Sequence, residues 1–149
     1  MYRTAPTDHD AAHVLLRTVS RVNGEVQLVM DCEPAFDFGR RRARWRYTDL
    51  VYHQGLATGD GVDLQLKLTT DMQLGVEGPR ASARTLIKEG QARFCALSWS
   101  EHDPPFTLED ANRKLRWAAR HRQHWLARGP FRTATGGATC SGRCSRSKD

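Results

Sequence analysis

The sequence predicts a mostly β protein: an antiparallel β-sandwich, then one long α-helix, then a disordered tail. Three observations predict it. Apolar and polar residues alternate with a period of two through much of the first two-thirds of the chain. Turn residues punctuate that stretch about every 10–15 residues, with no helical period between them. After Pro104-Pro105 the apolar spacing changes to that of a helix.

Taken in order, Val14 to Val19 is a short apolar, β-branched strand, and Asn23-Gly24 is a turn pair that supplies positive φ. Val26, Leu28, Met30 and Cys32 then alternate with Glu25, Gln27, Val29 and Asp31, a strand with one face on a core. These two segments are expected to form a hairpin. Pro34 to Gly39 interrupts the pattern. The basic run Arg40, Arg41, Arg42, Arg44 and Arg46 follows, with Trp45 and Tyr47 two apart within and after it. Gly55, Gly59 and Gly61 bracket an expected loop containing Asp60. Val62, Leu64, Leu66 and Leu68 give the cleanest alternation in the chain. Leu74 and Val76 flank Gly75, and Gly78-Pro79 marks a turn. Ala83 to Lys88 and Ala92 to Trp99 are two further strands, separated by Glu89-Gly90.

Thr107 followed by Asp110 opens the helix in the manner of a capping box, with acid where the helix dipole favours it. Leu108, Ala111, Leu115, Ala118, Ala119, Trp125 and Leu126 share a stripe that only Arg122 breaks. Gly129-Pro130 ends it. With everything else in sheet, this stripe must pack on the sandwich or on something outside the chain. Residues 131–149 are mostly Gly, Ser, Thr, Arg and Cys without either period, the composition of a disordered tail.

With 149 residues the chain is one domain plus an appendage, and 39% hydrophobic with 27% charged residues is a globular composition. No apolar run reaches the roughly 18–20 residues that cross a bilayer, and Met1 to Asp10 lacks the features of a signal peptide. A cytoplasmic location is therefore expected, with no membrane partner. The net charge is +6, but half of that excess lies in residues 132–149, so no nucleic-acid partner is expected. Cys32 and Cys95 sit in apolar runs and read as small buried thiols.

Little chemistry is legible. Cys140 and Cys144 have metal-like spacing but lack two further ligands, and His121 and His124 are three apart on a helix. Solvated thiols and surface imidazoles are the expected state, with no metal and no cofactor. Two carboxylate groups, Asp31/Glu33/Asp37 and Glu101/Asp103/Glu109/Asp110, could in principle supply acid–base pairs. The second serves a helix N-terminus and the first borders a turn. No Ser/His/Asp order, phosphate loop or dinucleotide fingerprint is present. The Arg40–Arg46 run with Trp45 could meet phosphates and bases, but a solvated hairpin loop with inward aromatics is the better expectation. No catalytic, cofactor-binding or metal-binding residue is assigned.

Six motifs in one order carry a resemblance. His13-Val-Leu-Leu-Arg-Thr-Val19, Gly24-Glu-Val-Gln-Leu28 and Cys32-Glu-Pro-Ala-Phe-Asp-Phe-Gly-Arg40 come first. Leu66-Lys-Leu-Thr-Thr-Asp-Met72 with Leu74-Gly-Val-Glu-Gly78, Phe94-Cys-Ala-Leu-Ser-Trp99, and the helix ending Trp125-Leu-Ala-Arg-Gly129 follow. From about Tyr2 to Gly129 the chain resembles the N-terminal domain of bacterial glycoside hydrolase family 15 trehalases and glucoamylase-like proteins. The resemblance implies an incomplete supersandwich over residues 1–104 that lacks its first strands, and a linker helix over 105–129. In that family an (α/α)6 barrel carries two glutamates that hydrolyse an α-glucoside such as trehalose with inversion. Neither glutamate position falls within this chain, so no catalytic residue carries over and the fragment is expected to be inactive alone. Its implied partner is its own catalytic barrel, with the α-glucoside bound only through that barrel.

The tail adds a hypothesis. Reading Thr135 to Asp149 one frame over permits Arg-Trp-Arg-Tyr-Leu-Gln-Arg-Ser-Val-Leu-Thr-Leu-Lys-Gly, a helically spaced string resembling the family's next segment. Residues 130–149 are thus expected to be a frame-shifted reading, with Cys140 and Cys144 its by-products. The rival expectation is a stand-alone carbohydrate-binding sandwich using Trp45, Tyr47 and Trp99 as stacking platforms. A fragment of this kind should also leave strand edges and Trp117 or Trp125 uncovered.

Overall fold

The computed structural model describes residues 13–99 and 104–128. Among the described residues nine strands carry the fold: β1 (Val14–Ser20), β2 (Glu25–Cys32), β3 (Ala35–Phe36), β4 (Arg41–Tyr47), β5 (Gln54–Gly59), β6 (Val62–Thr70), β7 (Leu74–Glu77), β8 (Arg80–Lys88) and β9 (Ala92–Ser98). One helix, α1 (Leu108–Arg128), follows them. The strands form two antiparallel sheets, a six-stranded one in the order β1-β9-β6-β5-β4-β3 and a three-stranded one in the order β2-β8-β7. The predicted class, mostly β and antiparallel with a single long helix, is the observed one. The predicted tail lies outside the described residues.

Alternation sorts the side chains between faces. Leu68 pairs across the ladder with Leu97, and both point toward the small sheet, where Met72, Leu74, Ala81 and Ala83 complete a buried cluster. A second cluster gathers Phe36, Ala43 and Ala57 at the other end of the large sheet, with Trp45 touching both. On β4, Ala43, Trp45 and Tyr47 occupy one face while Arg42, Arg44 and Arg46 alternate on the other. The basic run is thus a regular strand rather than a hairpin loop. Its charges face outward, and Arg44 meets Asp60 at 2.7 Å, both exposed.

Two expectations fail. The first is the hairpin across Asn23-Gly24. Gly24 does take positive φ (74°), but β1 pairs with β9 and β2 pairs with β8. The connecting residues instead bond to the turn between β8 and β9. Arg21 N–H donates to the Gln91 carbonyl (3.0 Å), and Gly90 N–H donates to the Arg21 carbonyl (2.9 Å). Two tight turns therefore lie side by side at one corner, each carrying the chain from one sheet to the other. A turn pair specifies a reversal, and the burial of the facing rows chooses the partner.

The second expectation fails in part: Asp60-Gly61 is a turn between β5 and β6, but Gln54–Gly59, expected as part of the loop, is a strand inside the large sheet. A methyl group placed on Gly59 would lie 2.8 Å from Phe36 Cγ, and one on Gly55 would lie 3.2 Å from the Trp45 ring. The glycines make room for two aromatic rings, a use of strand glycine that mimics a loop signal in sequence.

Thr107 starts α1 as expected, its Oγ1 accepting the Asp110 N–H at 3.1 Å. Arg113 pairs with Asp110 one turn on. The helix rests its first turns on β1 and β9, with Ala111 fully buried and Leu108 and Leu115 half-buried. Beyond Leu115 every side chain described is exposed, including Ala118, Ala119, Trp117 (66%) and Leu126 (41%). The stripe therefore does both things open to it, packing on the sheet at its start and projecting from it afterwards. No helix among the described residues is long and apolar enough to cross a membrane.

Candidate functional site

The strand order leaves β1 and β2 as edges of their sheets on the same side of the sandwich. Between them opens a cleft of about 430 Å³. Inward rows from both sheets line it: Leu15 and Val19 on β1, Leu28 and Met30 on β2, Leu97 on β9, with Met72 at the floor. Leu15 is 50% and Val19 42% exposed, although both lie on the face that elsewhere forms the core. Arg17, Arg93, Asp31 and Glu33 ring the opening.

The charged rim is mostly spoken for. Asp31 accepts from Arg80 Nε at 2.9 Å, and Arg93 lies 3.8 Å from Asp71, whose other oxygen accepts the Phe94 N–H at 3.0 Å. Such an apolar cleft with occupied carboxylates can receive apolar side chains. Of the first carboxylate group, Asp31 is tied to Arg80, Glu33 lines the cleft, and Asp37 sits in a left-handed turn with φ of 49°. In the second group, Asp110 serves the helix start with Glu109 beside it, and Glu101 and Asp103 lie outside the described residues.

The proposed stacking residues are committed elsewhere. Trp45 is half-buried, and its indole N–H donates to the Pro79 carbonyl of the opposite sheet at 2.9 Å. The Tyr47 hydroxyl donates to the Leu74 carbonyl (3.3 Å) and accepts the Val76 N–H (3.1 Å). The same ring meets Tyr52 edge-on at 4.8 Å. Both side chains are inter-sheet ties, so they form no open platform. Trp99 is 42% exposed and stacks on His13 with centroids 5.9 Å apart.

His121 stacks on Trp117 along the exposed helix, and His124 is exposed beside it. Cys140 and Cys144 lie outside the described residues. Among the described residues no three of His, Cys, Asp and Glu come together as a metal site.

Cys32 and Cys95, expected as buried thiols, are half-buried and line the cleft from opposite sheets. Burial raises the Cys32 pKa to about 11, with Cys95 adding a smaller push. Burial also raises Cys95, where Arg17 opposes the effect and Asp71 adds to it. The alternation already put Cys32 on the core-facing row of its strand. Nothing local placed Cys95 across from it, because their juxtaposition depends on sheet order.

Comparison with known proteins gives two relatives. The chain is 43% identical over 133 residues to a trehalase of Mycobacterium tuberculosis and, at the same identity and length, to a trehalase of Mycolicibacterium smegmatis. Each alignment covers 87% of this chain but only 20% of the relative. The chain thus spans about a fifth of the length of the curated relatives it matches. No family model matches it, and no solved structure matches it significantly. At this identity the chain is a trehalase-related protein.

Proposed function

We propose that the chain is the N-terminal, non-catalytic β-sandwich (residues 1–104) and linker helix (105–129) of a trehalase-like hydrolase of glycoside hydrolase family 15. The alignment carries this reading: similarity extends over nearly the whole chain yet over a fifth of each trehalase. In this reading hydrolysis of trehalose or a related α-glucoside belongs to a barrel beyond this chain, where two glutamates act as acid and base with inversion. The sandwich supports that barrel. The helix supplies the contact, since its second half presents Trp117 and Leu126 to solvent where a neighbouring domain would cover them. The open β1/β2 edge is where further strands of the sandwich would pair. Residues 130–149 are then a shifted-frame translation of the barrel's start, which resequencing the gene from the Trp125 codon onward tests.

A chimera tests the function itself. The purified chain is expected to release no glucose from trehalose above buffer. Exchanged for the matching segment of the Mycolicibacterium smegmatis trehalase, residues 1–128 should support glucose release that the segment-deleted enzyme lacks. Glucose release by the chain alone, or a folded but inert chimera, overturns the proposal.

A further inference from the structure

Two nucleophilic groups take no part in that reading. Cys32 closes β2 in the small sheet, opposite Ala81, and Cys95 lies within β9 of the large sheet, between Arg17 and Thr70. Both stand on inward rows, both line the cleft at the open edge, and neither is in a disulfide. Facing sheets of a sandwich lie about 10 Å apart, a spacing that cross-sheet disulfides bridge in other sandwiches. We propose that Cys32 and Cys95 form a thiol pair that a small-molecule disulfide oxidises to a cross-sheet bond, closing the sandwich along its open edge.

The chemistry is two successive exchanges. One protein thiolate attacks a sulfur of the oxidant, breaking its S–S bond, forming a mixed disulfide and releasing one thiolate, which takes up a proton. The second protein thiolate attacks the protein-bound sulfur, forms the Cys32–Cys95 bond and expels the other half of the oxidant. The protein loses two electrons and two protons, and the oxidant becomes two thiols. Cys95 makes the first attack, because its cross-strand neighbour on β1 is the cation Arg17, whereas that of Cys32 on β8 is Ala81. Around the pair, Arg93 faces in from β9, while Asp31 and Glu33 stand at the end of β2.

The effect is mechanical. Among the described residues β1 pairs with β9 and β2 with β8, and no ladder joins β1 to β2, so the bond would tie together the two edges that flank the cleft. A covalent tie between positions roughly sixty residues apart also shortens the unfolded chain's reach, and should raise Tm by roughly 10 °C.

Oxidised glutathione is the probe, applied to the chain carrying Cys140→Ser and Cys144→Ser so that only the cleft thiols remain. The expected product is a monomer lighter by two hydrogens, with a raised Tm that dithiothreitol reverses. Peptide mapping of the unsubstituted chain should find the Cys32 and Cys95 peptides linked. Cys32→Ser or Cys95→Ser should remove the rise in Tm. Stable glutathione adducts without the internal bond, a cross-linked dimer, or a linked monomer with unchanged Tm each overturn the proposal.

Discussion

Single residues decide where the two sheets can approach. Gly59 is the tightest case: the space its side chain would take is held by the Phe36 ring at 2.8 Å, inside contact distance. Gly59→Ala should therefore destabilise the fold by about 2 kcal/mol, as overpacking does, read as a lower midpoint in urea. Gly61→Ala also meets a cost, but a different one, since its space is open and its φ is +66°. Pairing Gly59→Ala with Phe36→Leu should recover part of the loss, and no recovery would place the cause in the backbone. This packing role was hidden in sequence. A glycine that yields to an aromatic across a strand and a glycine that turns a loop are the same letter. Trp45 and Tyr47 were legible as inward residues from their spacing of two. Their hydrogen bonds to Pro79, Leu74 and Val76 were not, because those partners lie on another sheet.

Among the elements, α1 divides the legible from the illegible most clearly. Its start and its stripe were written in Thr107 and the Leu108–Leu126 spacing, while the expected end at Gly129-Pro130 lies outside the described residues. The point where the stripe leaves the sheet was not legible, since it depends on how far β1 and β9 extend beneath the helix. That geometry makes a paired prediction. Ala111→Leu inserts bulk into a fully buried site and should cost about 1–3 kcal/mol of stability. Trp117→Ala removes a far larger side chain, yet should change stability by no more than about 0.5 kcal/mol, because the ring is 66% exposed. Thermal melts of both variants check this. A larger loss for Trp117→Ala would mean that the helix folds back on the sandwich in solution. The strand β6 was likewise legible from the alternation of Val62, Leu64, Leu66 and Leu68. The partners of β1 and β2 were not: a strand's own pattern names its buried face, and the competition among all strands names its neighbour.

At the scale of the whole molecule the sandwich is closed along most of its length and open along one edge. Two edge strands, β1 and β2, each paired on one side only, flank the cleft there, and aliphatic side chains that belong to an inter-sheet layer reach solvent. Unpaired donors and acceptors beside exposed apolar rows are the conditions for edge-to-edge association. The chain by itself should therefore self-associate as concentration rises, seen in light scattering and in dye binding to apolar surface. The charged rim does not prevent this, because Asp31 and Arg93 are already paired within the molecule. Replacing both Leu15 and Val19 by Lys puts charge on the β1 edge, where each side chain is already about half exposed. Association should fall sharply while Tm changes little, since little buried area is lost. The opposite pattern, unchanged association with a collapsed Tm, would mean that these two residues hold the sheets together and that the cleft is closed in solution. Undiminished association at an intact Tm would move the sticky surface to the exposed half of α1, where Trp117→Ala would then be the variant that disperses the protein.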